Sequence, residues 1–351
     1  MLLPVLWKIF CYRLAVFCRN LAGKESMKAL TEDIKTGNFR PVYLLYGEEN
    51  YLKALYRDKL VHALIPESDS MNFTRYEEKE AVPDQIIAQA ETLPFFADRR
   101  VILLENTGMF KSKSDQMADY LKELPDYLVL IFEEDEIDKR NRLYKAVQKY
   151  GRVTEFAPQN TDVLIRWVYG KLKKEEKKIT QKDMEYFLTV TGTDMANISS
   201  ELEKLLSYTM GRPVITREDI DAICTPQISN RIFDMLQAVT EHRQKQAMDL
   251  YYDLLALKEP PMRILYLLTR QYNQLLLIKI MQKEGMSSRD IAPKVGLPPF
   301  VVNKYTGLCR RFSEQQLRDI IETCTRSETD VKTGHLNDEL SVELLLTRLS
   351  R

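Results

Sequence analysis

"PVYLLYGEENYLKA", residues 41–54, decides how the first half of this 351-residue chain folds. Val42 to Tyr46 run apolar or aromatic without polar alternation, and Gly47 ends the run. A short continuous run of this kind suits a strand covered on both faces, as in the middle of a parallel sheet. Working outward, "MNFTRYE" (71–77), "RRVILLEN" (99–106), "DYLVLIFEE" (126–134) and "GRVTEFA" (151–157) repeat the strand signal. Between them, "YLKALYRDKLVHALI" and "PDQIIAQAETL" carry helical spacing; in the second, Ile86, Ile87, Ala90 and Leu93 share one face. Strand alternating with helix predicts a mainly parallel sheet with helices on both sides.

Beyond Pro158 the strand signal disappears. Thr180 and Asp183 are helix-start residues, Gly211 with Pro213 forms a stop, and Thr216 caps a short helix. "TPQISN" (225–230) reads as a linker, and long helical patterns fill 231–351. Within them "ILYLLTRQYNQLLLIKIM" (264–281) is apolar enough to be a buried spine. The expected class is therefore α/β plus all-α. Residues 27–158 form a parallel-sheet domain, 159–226 a small helical domain and 227–351 a helical bundle. Residues 1–26 stand apart. Met27 looks like a natural domain start, so the preceding segment reads as a start-site extension. A membrane-surface helix over residues 2–18 is the alternative, although Lys8 and Arg13 break the ~18–20 apolar residues that a span needs.

Lys plus Arg equals Asp plus Glu, 51 each, so no global field announces a nucleic-acid or membrane partner. The five cysteines and three histidines are scattered, without zinc spacing, and fit reduced thiols in a cytoplasmic protein. No Ser/His/Asp group or paired-acid pocket stands out. We expect no catalytic residues, no metal and no cofactor.

The loop after the first strand is where a phosphate-binding loop would lie. Against GxxxxGK[ST], Gly47 and Lys53 fit by position, but Leu52 replaces the second glycine and Ala54 the metal-binding hydroxyl. A leucine side chain blocks backbone approach to phosphate, and alanine offers no oxygen. Glu48 and Glu49 add negative charge; like charges at ~4 Å oppose each other by ~4 kcal/mol at a surface-like dielectric. ATP is not expected to bind at Gly47, Leu52, Lys53 and Ala54. Glu133, ending "LVLIFEE", stands where a magnesium-holding acid would, and a solvated strand end is the plainer reading. An active ATPase or helicase-like motor is the enzymatic alternative.

Four segments together resemble the delta-subunit family of bacterial DNA polymerase III clamp loaders: "RPVYLLYGEENYLK" (40–53), "LPFFADRRVILLEN" (93–106), "TGTDMANISSELEKLLSYTMGRPVITREDI" (191–220) and "VKTGHLNDELSVELLLTRL" (331–349). The resemblance runs in order over residues 27–351. It implies an AAA+-like first domain with a helical lid, then a C-terminal collar used for oligomerisation. It implies a non-catalytic subunit of the DNA-directed DNA polymerase holoenzyme, working in the cytoplasm at the replication fork and not on a membrane. Its partners would be the sliding clamp (beta subunit), the ATPase subunits and delta-prime through the collar, and primed DNA within the assembly. Such a subunit binds and opens the clamp while sister subunits hydrolyse ATP.

On this resemblance the clamp-binding element falls on Leu93, Phe95 and Phe96, with Phe95 where the family usually has leucine. An exposed aromatic ring buries ~150–250 Å² on entering a pocket, which suits an anchor. Pro94 would end the helix and stiffen the rings. Read without the resemblance, the pair is ordinary core at a helix–strand junction. The locally basic "DKRNRLYK" makes Arg140, Arg142 and Lys145, with Lys139, candidates for DNA phosphate contact.

Overall fold

The computed structural model describes residues 25–65 and 71–350. The expected extension over 1–26 and the alternative membrane helix at 2–18 lie almost wholly outside these. The chain divides into two compact units between Gln159 and Asn160.

In the first unit a helix over residues 25–36 (α1) precedes β1 (Val42–Tyr46), α2 (Asn50–Leu64), β2 (Phe73–Glu77), α3 (Pro83–Ala90), β3 (Arg100–Glu105), α4 (Asp115–Tyr120), β4 (Leu128–Glu134), α5 (Arg142–Tyr150) and β5 (Arg152–Glu155). The five strands form one parallel sheet in the order β2-β3-β4-β1-β5. Every residue of β1, β3 and β4 is buried, as their uninterrupted apolar runs demand. Leu44, Ile102, Leu104, Leu130 and Phe132 carry one side of the core, where Phe110 meets Phe132 edge to face at 5.2 Å. Helix α1 is tied to the sheet through buried Asp33, which accepts from Arg152 Nε at 2.5 Å and Nη2 at 2.9 Å and from the Tyr43 hydroxyl at 3.2 Å. Two parallel N–H bonds from one guanidinium make this a strong, directional link.

The second unit contains α6 (Thr161–Lys174), β6 (Lys178–Ile179), α7 (Gln181–Thr191), α8 (Met195–Tyr208), β7 (Val214–Ile215), α9 (Arg217–Ile223), α10 (Ile228–Thr240), α11 (Gln244–Ala256), α12 (Pro261–Lys283), α13 (Ser288–Val295), α14 (Pro299–Cys309), α15 (Glu314–Lys332) and α16 (Asp338–Leu349). Its core gathers around α12, whose Leu268, Tyr272, Leu275 and Ile278 are fully buried. Thr180 caps α7 through the Asp183 amide, as its position predicts. Two expectations need correction. Strand does continue beyond Pro158, as the parallel pair β6–β7; two residues per strand are too few to show any period. The linker over 225–230 is shorter, because α10 already begins at Ile228. The helical pattern over 231–257 comprises α10 and α11, separated where His242 takes a left-handed φ of +56°. Among the described residues no helix is long and apolar enough to cross a membrane.

Candidate functional site

The segment from Thr92 to Arg99 joins α3 to β3 at the end of the sheet where the strands begin. Helix α3 stops at Ala90, earlier than Pro94 would require. Ile86 and Ala90 stay buried, while Leu93 leaves their face for solvent. Leu93 is 71% exposed, Phe95 56% and Phe96 95%. The two rings meet edge to face at 4.6 Å, and Phe96 adopts a left-handed φ of +48°. A bulky residue seldom takes that conformation, so the surroundings must hold it there.

Two buried polar residues supply the hold. Asn72, just before β2, is fully buried; its Nδ2 donates to Phe95 O at 2.9 Å and its Oδ1 accepts from Phe95 N at 2.6 Å. Arg100, the first residue of β3, is nearly buried, and its Nη2 donates to Leu93 O at 3.2 Å. The Tyr127 hydroxyl donates to Glu91 O at 3.2 Å and steadies the end of α3. The backbone of the tip is thus fixed while its apolar side chains face water. Asn72 escapes sequence reading because it looks like an ordinary polar residue just before a strand.

The loop after β1 lies at the opposite end of the parallel strands. Gly47 has a φ of +128°, and a Cβ there would stand 2.3 Å from Phe156 O. Its glycine therefore serves chain packing. Leu52 is buried in the first turn of α2. Lys53 is 1% exposed, and its ammonium donates to Gly47 O at 3.1 Å, Glu134 O at 3.3 Å and Asp135 Oδ1 at 2.5 Å. An ammonium has three protons, and these three acceptors use them. Ala54 is partly buried. The adjoining cleft, about 250 Å³, is lined by Glu48, Asp135, Glu136 and Glu155, with Lys139 the one cation.

Glu133 is not a solvated strand end. It is buried, and burial raises its carboxyl above the ordinary range against the pull of Arg57 and Lys53. Arg57 Nη1 bridges Glu133 Oε2 at 3.1 Å and Glu105 Oε1 at 2.7 Å, and Arg75 pairs with the other Glu105 oxygen. A guanidinium thus sits among the acids that a metal would need. No group of three or more His, Cys, Asp or Glu among the described residues is arranged to hold a metal ion.

The basic stretch is largely committed internally. Arg140 pairs with Asp138 at 2.9 Å, Arg142 with Asp119 at 2.5 Å, and Lys139 with Glu155 at 3.1 Å; Lys145 is exposed.

Residues 43–157 match the family model for the DNA polymerase III delta subunit, and residues 229–349 match the model for its C-terminal domain. The two lie in order on one chain and together cover more than half of it. The chain belongs to the DNA polymerase III delta-subunit family. Its similarity to other delta subunits runs nearly end to end. DNA polymerase III subunit delta of Bacillus subtilis is 27% identical over 332 residues, covering 91% of this chain and 95% of that protein. A probable DNA polymerase III subunit delta of Aquifex aeolicus is 20% identical, covering 88% and 91%. The solved Bacillus subtilis DNA clamp loader delta protein superposes with a TM-score of 0.61 at 26% identity, over 92% of this chain and 98% of that one. The delta fold, with a parallel-sheet unit followed by a mainly helical one, is what the chain adopts.

Proposed function

We propose that this delta-family chain is the clamp-binding and clamp-opening subunit of a clamp loader, and that Leu93, Phe95 and Phe96 dock into an apolar pocket of the sliding clamp. The observation that carries the reading is a fully exposed Phe96 beside a half-exposed Phe95 whose backbone a buried asparagine grips on both sides. Anchors of this type contribute 2 kcal/mol or more at many interfaces, and a fixed backbone lowers the ordering cost of binding. Docking favours an open ring by as much as the tip binds that state better than the closed one.

Energy for the cycle comes from partner ATPase subunits. The engagement of Lys53 and the anionic cleft beside Gly47 support a loop without nucleotide. We divide the chain functionally into an AAA+-like domain over 27–158, a lid over 159–226 and a collar over 227–351 that meets the ATPase subunits and delta-prime. Primed DNA is the substrate of the whole assembly, which works in the cytoplasm.

Capture of purified sliding clamp by wild type and by Phe95→Ala/Phe96→Ala tests the reading. A well-folded double variant is expected to lose at least tenfold in affinity. Undiminished capture would remove the tip from the function.

A further inference from the structure

Beside the tip, where β1, β3 and β4 begin, lies a shallow cleft of about 350 Å³ lined by Phe39, Arg40, Arg99, Leu124, Asp126 and Tyr150, among others. The Arg99 guanidinium stacks over the Phe39 ring at 4.8 Å. Among the described residues neither Arg40 nor Arg99 has a carboxylate partner, and Asp126 is the one carboxylate in the lining. Lys122, also in the lining, is paired with Asp119 at 2.6 Å. Arg99 links the cleft to the tip along the chain: it follows Phe96 by three residues, and its neighbour Arg100 holds the Leu93 carbonyl.

We infer that this cleft is the charged flank of the docking surface and receives a carboxylate-bearing segment of the same partner that accepts the rings. The inference rests on the docking role proposed for Leu93, Phe95 and Phe96. A guanidinium stacked on a ring keeps its donor edge free and loses little further freedom when a carboxylate arrives. Two cations without internal partners are a mismatch that an acid of the partner would complete. Because both sit at the rim of the apolar contact, they act mainly on encounter, through a field that salt screens.

The experiment measures association and dissociation rates with the purified sliding clamp from low to high NaCl. The chains compared are wild type, Arg40→Ala/Arg99→Ala, Arg40→Glu and Phe95→Ala/Phe96→Ala. The double arginine variant is expected to associate about 3–10-fold more slowly at low salt, with a flattened salt dependence and a small change at high salt. Arg40→Glu leaves the Arg99–Phe39 stack intact and is expected to shift the rate in the same direction, which separates charge from folding. The ring variant is expected to dissociate faster with its salt dependence preserved. Unchanged association and salt slope in both arginine variants, with binding lost in the ring variant, would overturn the charged flank and leave the docking role standing. Full binding by the ring variant would overturn the docking role and this inference with it.

Discussion

The Asn72 carboxamide pairs with both the N–H and the C=O of Phe95, donating at 2.9 Å and accepting at 2.6 Å. Together with Arg100, which holds the Leu93 carbonyl, this side chain fixes the backbone of the tip. Asn72→Ala removes both bonds and leaves the ladder bond from Val101 N to Asn72 O, at 2.8 Å, in place. Loss of the pair costs about 1–3 kcal/mol, concentrated in the loop. Freed loop residues must then be ordered on docking, at about 1–2 kcal/mol each, so clamp affinity should fall roughly tenfold with both rings intact. Amide exchange across residues 93–98 should quicken while that of β3 stays slow. Wild-type affinity in Asn72→Ala would detach the asparagine from the function.

Lys53 makes a second, opposite prediction. In a working phosphate loop the lysine serves the nucleotide; here it serves Gly47, Glu134 and Asp135. Lys53→Met leaves Gly47 O without its donor, while Glu134 O keeps the Gly47 amide at 3.2 Å, and the first unit should lose about 1–3 kcal/mol in denaturant unfolding. Equilibrium dialysis should show no ATP retained by either protein. Micromolar binding by wild type that vanishes in the variant would restore the enzymatic alternative.

The central strands could be read from sequence because β1, β3 and β4 are buried at every position and composition alone reports that. The tip could not be read so directly. Two phenylalanines between a helix and a strand face core or solvent according to where the helix stops and who holds the loop. Ala90 ends the helix, and the holding groups come from Asn72 and Arg100. Nor could spacing show that Lys53 is consumed by a strand end 81 residues away, or that Arg57 occupies the ground between Glu105 and Glu133. These are properties of strand order. The family resemblance pointed to Leu93, Phe95 and Phe96, and the physical reason they stand exposed comes from the fold.

Asp219 makes the second unit sensitive to acid. At the start of α9 its Oδ2 accepts from Thr216 N at 2.9 Å, and its Oδ1 pairs with Arg212 at 2.8 Å. Burial alone would raise this carboxyl, but the Thr216 amide and the Arg212 guanidinium outweigh it and hold the group below its ordinary value. A carboxyl depressed by folding stabilises fully above its unfolded value, near 4, and loses that contribution as pH falls through the lower folded value. Asp219→Asn should therefore destabilise α9 by about 1 kcal/mol at neutral pH, the size of a lost cap. The two unfolding curves should converge as the pH is lowered through the carboxylate range. A gap that stays constant down to acid pH would show that the charge contributes nothing.

Tyr272 in α12 offers a test in which removing a polar group should not harm the fold. Its side chain is fully buried, packed edge to face on Phe312 at 6.3 Å, and its hydroxyl has no hydrogen-bond partner among the described residues. Burial pushes the phenol well above its ordinary pKa, so the group stays neutral at any workable pH. An unpaired buried hydroxyl costs about 1–3 kcal/mol of desolvation, whereas the ring contributes packing that phenylalanine would retain. Tyr272→Phe should therefore unfold in denaturant at a midpoint equal to or above that of wild type. Tyr272→Ala, which opens a cavity beside Leu268 and Leu275, should lose about 3–5 kcal/mol and shows that the measurement senses this core. A clear loss in Tyr272→Phe would mean that the hydroxyl is bonded in solution and that the core around α12 holds a polar partner for it.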